Sequence, residues 1–208
     1  MIADVEILAP AGSFEAAVAA FEGGADAVYL GLSDFSARKA AKNFSKEELR
    51  SLKTLAESKG KKIFAALNTV IKEDETGSAL DAARFLSDIS ADAVILQDIG
   101  FATLLKKLFP TLTLHASTQM AVHTVEGVKF LKSQGFSRVV LSREVPLDLI
   151  TKIKKEVPDM ELEVFVHGAL CYSFSGLCLA SGMVLGRSGN RGMCAQLCRR
   201  YYETEDGK

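Results

Sequence analysis

Cysteine is absent from the first 167 of the 208 residues. Charge of one sign is missing too: 25 Lys and Arg face 26 Asp and Glu, for a net charge of −1. No global positive field therefore advertises a nucleic-acid surface, although a local patch stays open. The N-terminus, Met1-Ile2-Ala3-Asp4, lacks the basic stretch and apolar run of a secretory leader. No window reaches the ~20 unbroken apolar residues of a membrane span. These absences predict a cytoplasmic protein. A reducing compartment disfavours structural disulfides and leaves metal or redox chemistry for clustered cysteines. Motifs are missing as well. No G-x-G-x-x-G follows the first apolar run, so the dinucleotide-binding fingerprint is lacking. There is no H-E-x-x-H and no nucleophile elbow, and no cysteine pair has the C-x-x-C form.

What is there is regular. Hydrophobic residues make up 48% of the chain, ample for one core. Short apolar, β-branched runs recur at 5–9, 27–32, 62–68, 93–97, 113–117, 138–142 and 161–167. Amphipathic stretches follow the first six, at 13–22, 45–58, 78–89, 101–109, 124–134 and 147–157; the seventh run leads into the cysteines. Near-continuous apolar runs predict strands buried on both faces in a parallel sheet. Ser45 with Glu48 makes a capping box, Pro146 sits where a first helical turn should start, and Gly23, Gly60 and Gly135 close helices. Ala-Asp-Ala precedes a strand at 25–27 and again at 91–93, the mark of an internal βα repeat. Seven consecutive units predict an α/β fold, a TIM-type (β/α) barrel that is incomplete by one unit and runs into a Cys-rich, Gly-rich loop region. The expected organisation is barrel units at 1–167, a metal-binding segment at 168–200, and a polar tail at 201–208 read as the truncation point of a longer protein.

Chemistry in such barrels sits at the C-terminal ends of the strands. Those positions carry Asn68 and Thr69, Gln97 and Asp98, His115, Ser117 and Gln119, Arg143 and Glu144, and Glu163 and His167. The set suits a polar, oxygen-rich small molecule or a nucleobase. His115, Gln119, Arg143, Glu163 and His167 are the candidate catalytic residues. Asp98 and Ser117 suit helix capping equally well, and His123 reads as a surface residue. Arg143 reads either as a salt-bridge partner of Glu144 or as a clamp for a carboxylate or phosphate.

The cysteines fall as Cys171-x6-Cys178-x15-Cys194-x3-Cys198. Three readings compete: a four-thiolate metal site, a nucleophilic cysteine with His167 as its base, and buried thiols in a glycine-rich loop. A nucleophile accounts for one cysteine and not for four. The irregular gaps favour an iron–sulfur cluster, whose irons are spread over a cube, with zinc as the alternative. Interleaved glycines let the backbone wrap a compact object. Arg187 and Arg191, with Arg199 and Arg200, would offset the charge of a thiolate-bound cluster or grip an anion such as RNA phosphate. A solvated loop face is the plainer reading of the same arginines.

The stretch "EVFVHGALCYSFSGLCLAS", 163–181, resembles the signature E-x-F-x-x-G-[SA]-[LIVM]-C-x4-G-x-C of the collagenase-like peptidase family, number thirty-two among peptidases of unknown type. Glu163, Phe165, Gly168, Ala169, Leu170, Cys171, Gly176 and Cys178 match it. "EILAPAGSFEAA", "ADAVYLGL", "AKNFSKEEL", "LNT", "LHASTQMAVHT" and "GNRGMCAQLCRRYY" are similar to further segments of that family, so the resemblance covers essentially the whole chain. It implies a barrel-like N-terminal domain followed by further sequence. It also implies either the peptidase activity for which the family is named, including collagen degradation, or oxygen-independent hydroxylation. In relatives of the second kind the target is a tRNA uridine, an rRNA cytidine or a ubiquinone precursor, prephenate is the oxygen source, and several hold a [4Fe-4S] cluster. Carried over, Cys171, Cys178 and Cys194 match cluster positions; the fourth ligand is Cys198 or a residue beyond Lys208. Arg143 and Arg191 would then face the dicarboxylate. Leu197 stands where the family commonly has proline, and Ala180 where a larger aliphatic residue is usual; neither departure removes a ligand. The function expected is oxygen-independent hydroxylation of RNA, at a tRNA uridine or an rRNA cytidine, with a prephenate-like oxygen donor; the expected partner is RNA or a small-molecule substrate. The alternatives are protein hydrolysis and a non-catalytic subunit with a heteromeric partner.

Overall fold

A computed structural model of the protein describes residues 5–32, 35–37 and 44–203. Seven strands form one parallel sheet in sequential order. They are β1 (Leu8–Pro10), β2 (Ala27–Gly31), β3 (Lys62–Leu67), β4 (Ala93–Leu96), β5 (Leu114–Ala116), β6 (Arg138–Val140) and β7 (Glu161–Glu163). Helices alternate with them: α1 (Phe14–Glu22), α2 (Lys46–Ser58), α3 (Thr76–Asp88), α4 (Ile99–Leu108), α5 (Val125–Ser133) and α6 (Leu147–Glu156). A short α7 (Ala180–Leu185) lies among the cysteines. The order is that of a TIM-type barrel with seven of its eight βα units. Among the described residues, no helix is long and apolar enough to cross a membrane. Residues 1–4 and the last five of the polar tail lie outside the described residues.

Successive strand residues face opposite sides, and both sides are packed. Val28, Leu30, Ile63, Ala65, Leu67, Val94 and Leu96 belong to the main core beneath the helices. The intervening Ala27, Phe64, Ala93 and Ile95 make an inner cluster with Leu8 and Tyr29. Two buried faces account for the near-continuous apolar runs. Each helix contributes one stripe: α2 buries Leu49, Leu52, Lys53 and Ala56, at three- and four-residue spacing. Leu52, Leu86, Leu105 and Ile153 are fully buried, and truncation of any of them to alanine costs ~2–5 kcal/mol.

The inner face changes character after β4. His115, Ser117 and Arg138 are buried there. Arg138 lies over the Phe64 ring, 5.0 Å from its centre, and His115 meets the same ring edge-on at 4.8 Å. The Arg138 guanidinium donates to Glu6 (2.7 Å) and Glu161 (2.8 Å) and stands 3.6 Å from Glu163. Glu6 also accepts from Lys62 Nζ at 2.6 Å. Glu6 precedes β1, Lys62 opens β3 and Arg138 opens β6. The ion network therefore crosses the interior and holds the sheet in a curl.

Local signals account for most boundaries. The Ser45–Glu48 capping box is complete, with bonds of 3.1 and 2.9 Å. Pro146 occupies the cap position before α6 rather than its first turn. After α1 the left-handed residue is Gly24, φ 99°, while Gly23 stays right-handed. The two Ala-Asp-Ala repeats do the same work. Asp26 accepts the Ile7 N–H (2.9 Å) and Asp92 the Ile63 N–H (2.8 Å), each tying its strand to the strand before it.

Three expectations are corrected. β1 starts at Leu8 rather than at residue 5. α3 starts at Thr76, extended by the preceding 3-10 turn Glu73–Glu75, whose Glu75 carboxylate accepts the Lys72 N–H at 3.2 Å. β7 ends at Glu163 and not at residue 167. Its partner β6 ends at Val140, opposite Glu163, and after the Leu141 N–H to Glu163 bond there is no further β6 backbone to pair with. Val166 then lies 94% exposed.

Candidate functional site

The strand tips of β4 and β5 are built around short side-chain-to-backbone bonds. Asp98 caps α4 through the Phe101 N–H (2.9 Å) and also accepts the Ile71 N–H (3.1 Å), fixing the β3–α3 connection. Ser117 is buried, donates its N–H to the Leu96 carbonyl at 2.7 Å, and accepts the Gln119 N–H on its Oγ at 3.2 Å. It thereby starts the 3-10 turn Thr118–Met120, which ends at the left-handed Ala121. Gln97 donates its amide Nε2 to the Gln119 carbonyl (3.3 Å), which leaves Gln97 Oε1 as an acceptor.

The cysteine-bearing segment lies across this mouth. At the turn Gly189–Met193, Asn190 Nδ2 donates to Gln97 Oε1 (2.5 Å) and to Gln119 Oε1, and Asn190 Oδ1 accepts the Val70 N–H (3.3 Å). Arg191 donates to the Val70 carbonyl (2.7 Å) and to Glu75 (2.5 Å). Farther round, Arg143 donates to the Ala169 carbonyl and stacks on Phe165 at 4.1 Å. Glu144 accepts both the N–H and the hydroxyl of Ser175, each at 2.7 Å, and so holds Ser175 in a left-handed conformation, φ 43°. His123 is exposed as expected; its Nδ1 lies 2.7 Å from the Ala121 carbonyl and its ring packs edge-on to Phe174. A cavity of about 280 Å³ opens between Thr69, Ser78, Glu75, Arg191 and Met193, beside Phe35 and Ser36.

The sequence-predicted residues occupy three places. His115 and Glu163 share the interior beneath the mouth, on either side of Arg138. Burial, and then the Arg138 charge, push the His115 imidazole down to about 3, so it is neutral at physiological pH. Burial raises the Glu163 carboxyl against the pull of Arg138. Buried polar atoms without a hydrogen-bond partner among the described residues include His115 Nδ1, Glu163 Oε2, Ser142 Oγ and Thr69 Oγ1. Gln119 and Arg143 sit at the rim, each bonded to the cysteine segment. His167 and Arg187 are exposed on that segment. Sequence reasoning passed over Arg138, Glu6 and Asn190. An arginine opening the apolar run "RVVLS" was the available signal for the first. Asn190 carried none, being one polar residue in a glycine-rich turn.

Cys171, Cys178, Cys194 and Cys198 are all free and exposed. Side-chain bonds tie residues near them together. Arg199, next to Cys198, donates to the Leu170 carbonyl (2.5 Å), next to Cys171. The Ala195 N–H, next to Cys194, bonds Ser181 Oγ at 3.0 Å. A side chain starting at Gly189 would meet the Cys178 carbonyl and Cys194 Cβ, both at 3.7 Å. Among the described residues, however, no three His, Cys, Asp or Glu side chains are grouped so as to hold a metal ion. The donor chemistry fits a thiolate-bound metal; the arrangement of the sulfurs does not form the ligand set.

The chain is 39% identical over 202 residues to tRNA hydroxylation protein P of Haemophilus influenzae, covering 97% of this chain and 44% of that protein. It is 43% identical over 202 residues to a 23S rRNA 5-hydroxycytidine synthase of Escherichia coli, with 97% and 30% covered. A collagenase of Porphyromonas gingivalis is 34% identical over 217 residues, with 98% and 51% covered. The chain thus spans about half the length of these relatives or less. Among solved structures, one described as a U32 peptidase superposes with a TM-score of 0.67 at 17% identity, covering 81% of this chain and 70% of that one. 2,3-Dimethylmalate lyase, of the PEP mutase/isocitrate lyase superfamily, superposes at 0.55 and 14% identity, with 83% and 71% covered. The profile of peptidase family U32 matches residues 12–208, and the chain belongs to that family.

Proposed function

We propose that this chain forms the catalytic barrel of a cytoplasmic, oxygen-independent RNA hydroxylase acting on a pyrimidine of tRNA or rRNA. One observation carries the reading: the segment bearing four free thiols is bonded by Asn190 and Arg191 across a polar barrel mouth. The relatives named for tRNA hydroxylation and for 5-hydroxycytidine synthesis support it. Cys171, Cys178, Cys194 and Cys198 would have to draw together to hold a [4Fe-4S] cluster, with zinc as the alternative. When bound, such a cluster supplies one-electron chemistry. The chain's own residues do the rest. The mouth presents polar groups to a base at the strand tips, and His115 and Glu163 lie beneath it in an interior crossed by the Arg138 ion network. A prephenate-like dicarboxylate is the oxygen donor, and the exposed Arg187, on the cysteine-bearing segment, is a cation available to it. Arg143 and Arg191 could take part only by leaving their present partners.

The test is the RNA of a strain lacking the protein. Mass spectrometry should show one hydroxylated pyrimidine missing, restored by the wild-type gene and not by Cys171→Ser. Anaerobically purified protein should contain iron, and Cys171→Ser should contain less; stoichiometric zinc without iron would retire the cluster. The collagenase relative motivates a second reading, protein hydrolysis. Unchanged RNA together with lost gelatin cleavage would establish it in place of the first.

A further inference from the structure

The Asn190 carboxamide is gripped by groups from three different strand tips. Gln97 Oε1 and Gln119 Oε1 accept its amino group, and the Val70 N–H donates to its oxygen. Part of this frame is held without Asn190. The Gln97 amino group donates to the Gln119 carbonyl, and the Gln119 backbone N–H is held by the buried Ser117 Oγ. A carboxamide presents an oxygen and an N–H side by side, and so does the amide edge of a pyrimidine base. Glutamine carboxamides read such edges in nucleic acids. The cavity beside Arg191 lies next to this grip, lined by Thr69, Glu75 and Ser78 rather than by the two glutamines.

We propose that Gln97, Gln119 and the Val70 N–H form a reading site for the amide edge of a pyrimidine base, and that Asn190 holds this site in the free protein and swings aside when the base enters. The inference rests on the RNA reading above and specifies where the target base sits. Rotation of a glutamine carboxamide exchanges its donor and acceptor. A pair of glutamines can therefore meet uracil, which offers a carbonyl and an N–H, or cytosine, which offers an amino group and a ring nitrogen. One site thus serves both bases.

The test is fluorescence anisotropy of the full chain at fixed salt, because phosphate contacts vary steeply with salt. The probes are short single-stranded RNAs carrying one uridine, one cytidine or no base in an abasic background. Gln97→Leu and Gln119→Leu should each weaken base-dependent binding by about fivefold, the value of one neutral hydrogen bond, and leave abasic binding unchanged. Asn190→Ala should bind the base-bearing strands as tightly as wild type or more tightly, since a competitor is gone. Gln97→Glu and Gln119→Glu keep the shape but only accept. One should move the cytidine-to-uridine affinity ratio towards cytidine by about fivefold and the other towards uridine, because a carboxylate facing position 4 takes the cytosine amino group and repels the uracil carbonyl, whereas one facing the ring nitrogen takes the uracil N–H and repels the cytosine nitrogen. A misfolded protein cannot mimic a change of ratio. The proposal is overturned if the ratio does not move, or if Asn190→Ala loses as much affinity as the leucine variants. An unmoved ratio with the hydroxylated pyrimidine still dependent on the protein removes the reading site and leaves the RNA function standing. A moved ratio with unchanged RNA modification does the reverse.

Discussion

His115 is an imidazole that the folded chain keeps from solvent. The unfolded chain takes up a proton there below about 6.5, whereas the folded chain resists until about 3. More protons on the unfolded state means stability falls as pH falls, by about 1.4 kcal/mol per pH unit between those limits. Glu163 opposes this, because its raised carboxyl binds a proton more readily in the folded state. The His115 contribution is isolated by urea denaturation of wild type and His115→Leu from pH 7 to 4; the variant should lose stability less steeply on acidification. An equal slope would show that His115 is not the group being titrated. Arg138 makes a second case. Its side chain is 10% exposed and faces Glu6, Glu161 and Glu163. Arg138→Met leaves partly buried carboxylates without their counter-charge and should cost about 3–5 kcal/mol. Arg138→Lys should recover only part, since an ammonium cannot reproduce the fork of bonds to two carboxylates.

At the scale of elements, the repeat Ala-Asp-Ala is a joint between neighbouring βα units. Its two copies differ in burial. Asp92 accepts the Ile63 N–H and the Nζ of Lys53, whose side chain is 8% exposed. Asp26 accepts the Ile7 N–H and a long 3.5 Å contact from Lys61, whose side chain is 23% exposed. Asp92→Ala therefore leaves the buried Lys53 with only the exposed Glu57 at 3.4 Å, removes the acceptor of a backbone N–H, and should cost about 2–4 kcal/mol. Asp26→Ala should cost clearly less, because its carboxylate is open to solvent and its lysine partner is held at long range. Equal losses in chemical denaturation would contradict the difference in burial. The order of strands and helices was legible in the sequence because both faces of each strand are apolar and each helix carries one apolar stripe. The ends were less legible. Where β7 stops depends on where β6 stops supplying backbone, a property of the neighbour and not of "ELEVFVH" itself.

At the scale of the whole molecule, Glu6 joins parts of the chain that are far apart in sequence. Its carboxylate bridges Lys62 and Arg138, the latter 132 residues away. Glu6→Ala should loosen β1 against the rest of the sheet. Hydrogen exchange of β1 and β2 amides should accelerate about tenfold, with α5 and α6 unaffected. Uniform acceleration would mean that the bridge acts on global stability rather than on the curl. The same scale explains what the sequence hid about the candidate site. Strand-tip residues could be named from the barrel rule. That Asn190 would meet Gln97 and Gln119 could not, since it depends on a loop returning over 70 residues or more to lie on the mouth. The margins of the sheet carry a further consequence. Among the described residues, β1 and β7 pair on one side only, and each is three residues long. One carries Pro10, which has no N–H to give, and the other carries two carboxylates turned towards Arg138. Exposed strand borders invite fibre-like association, and proline, brevity and inward charge all discourage it. Among the described residues, the two border strands thus offer a stranger few bonds with which to extend the sheet.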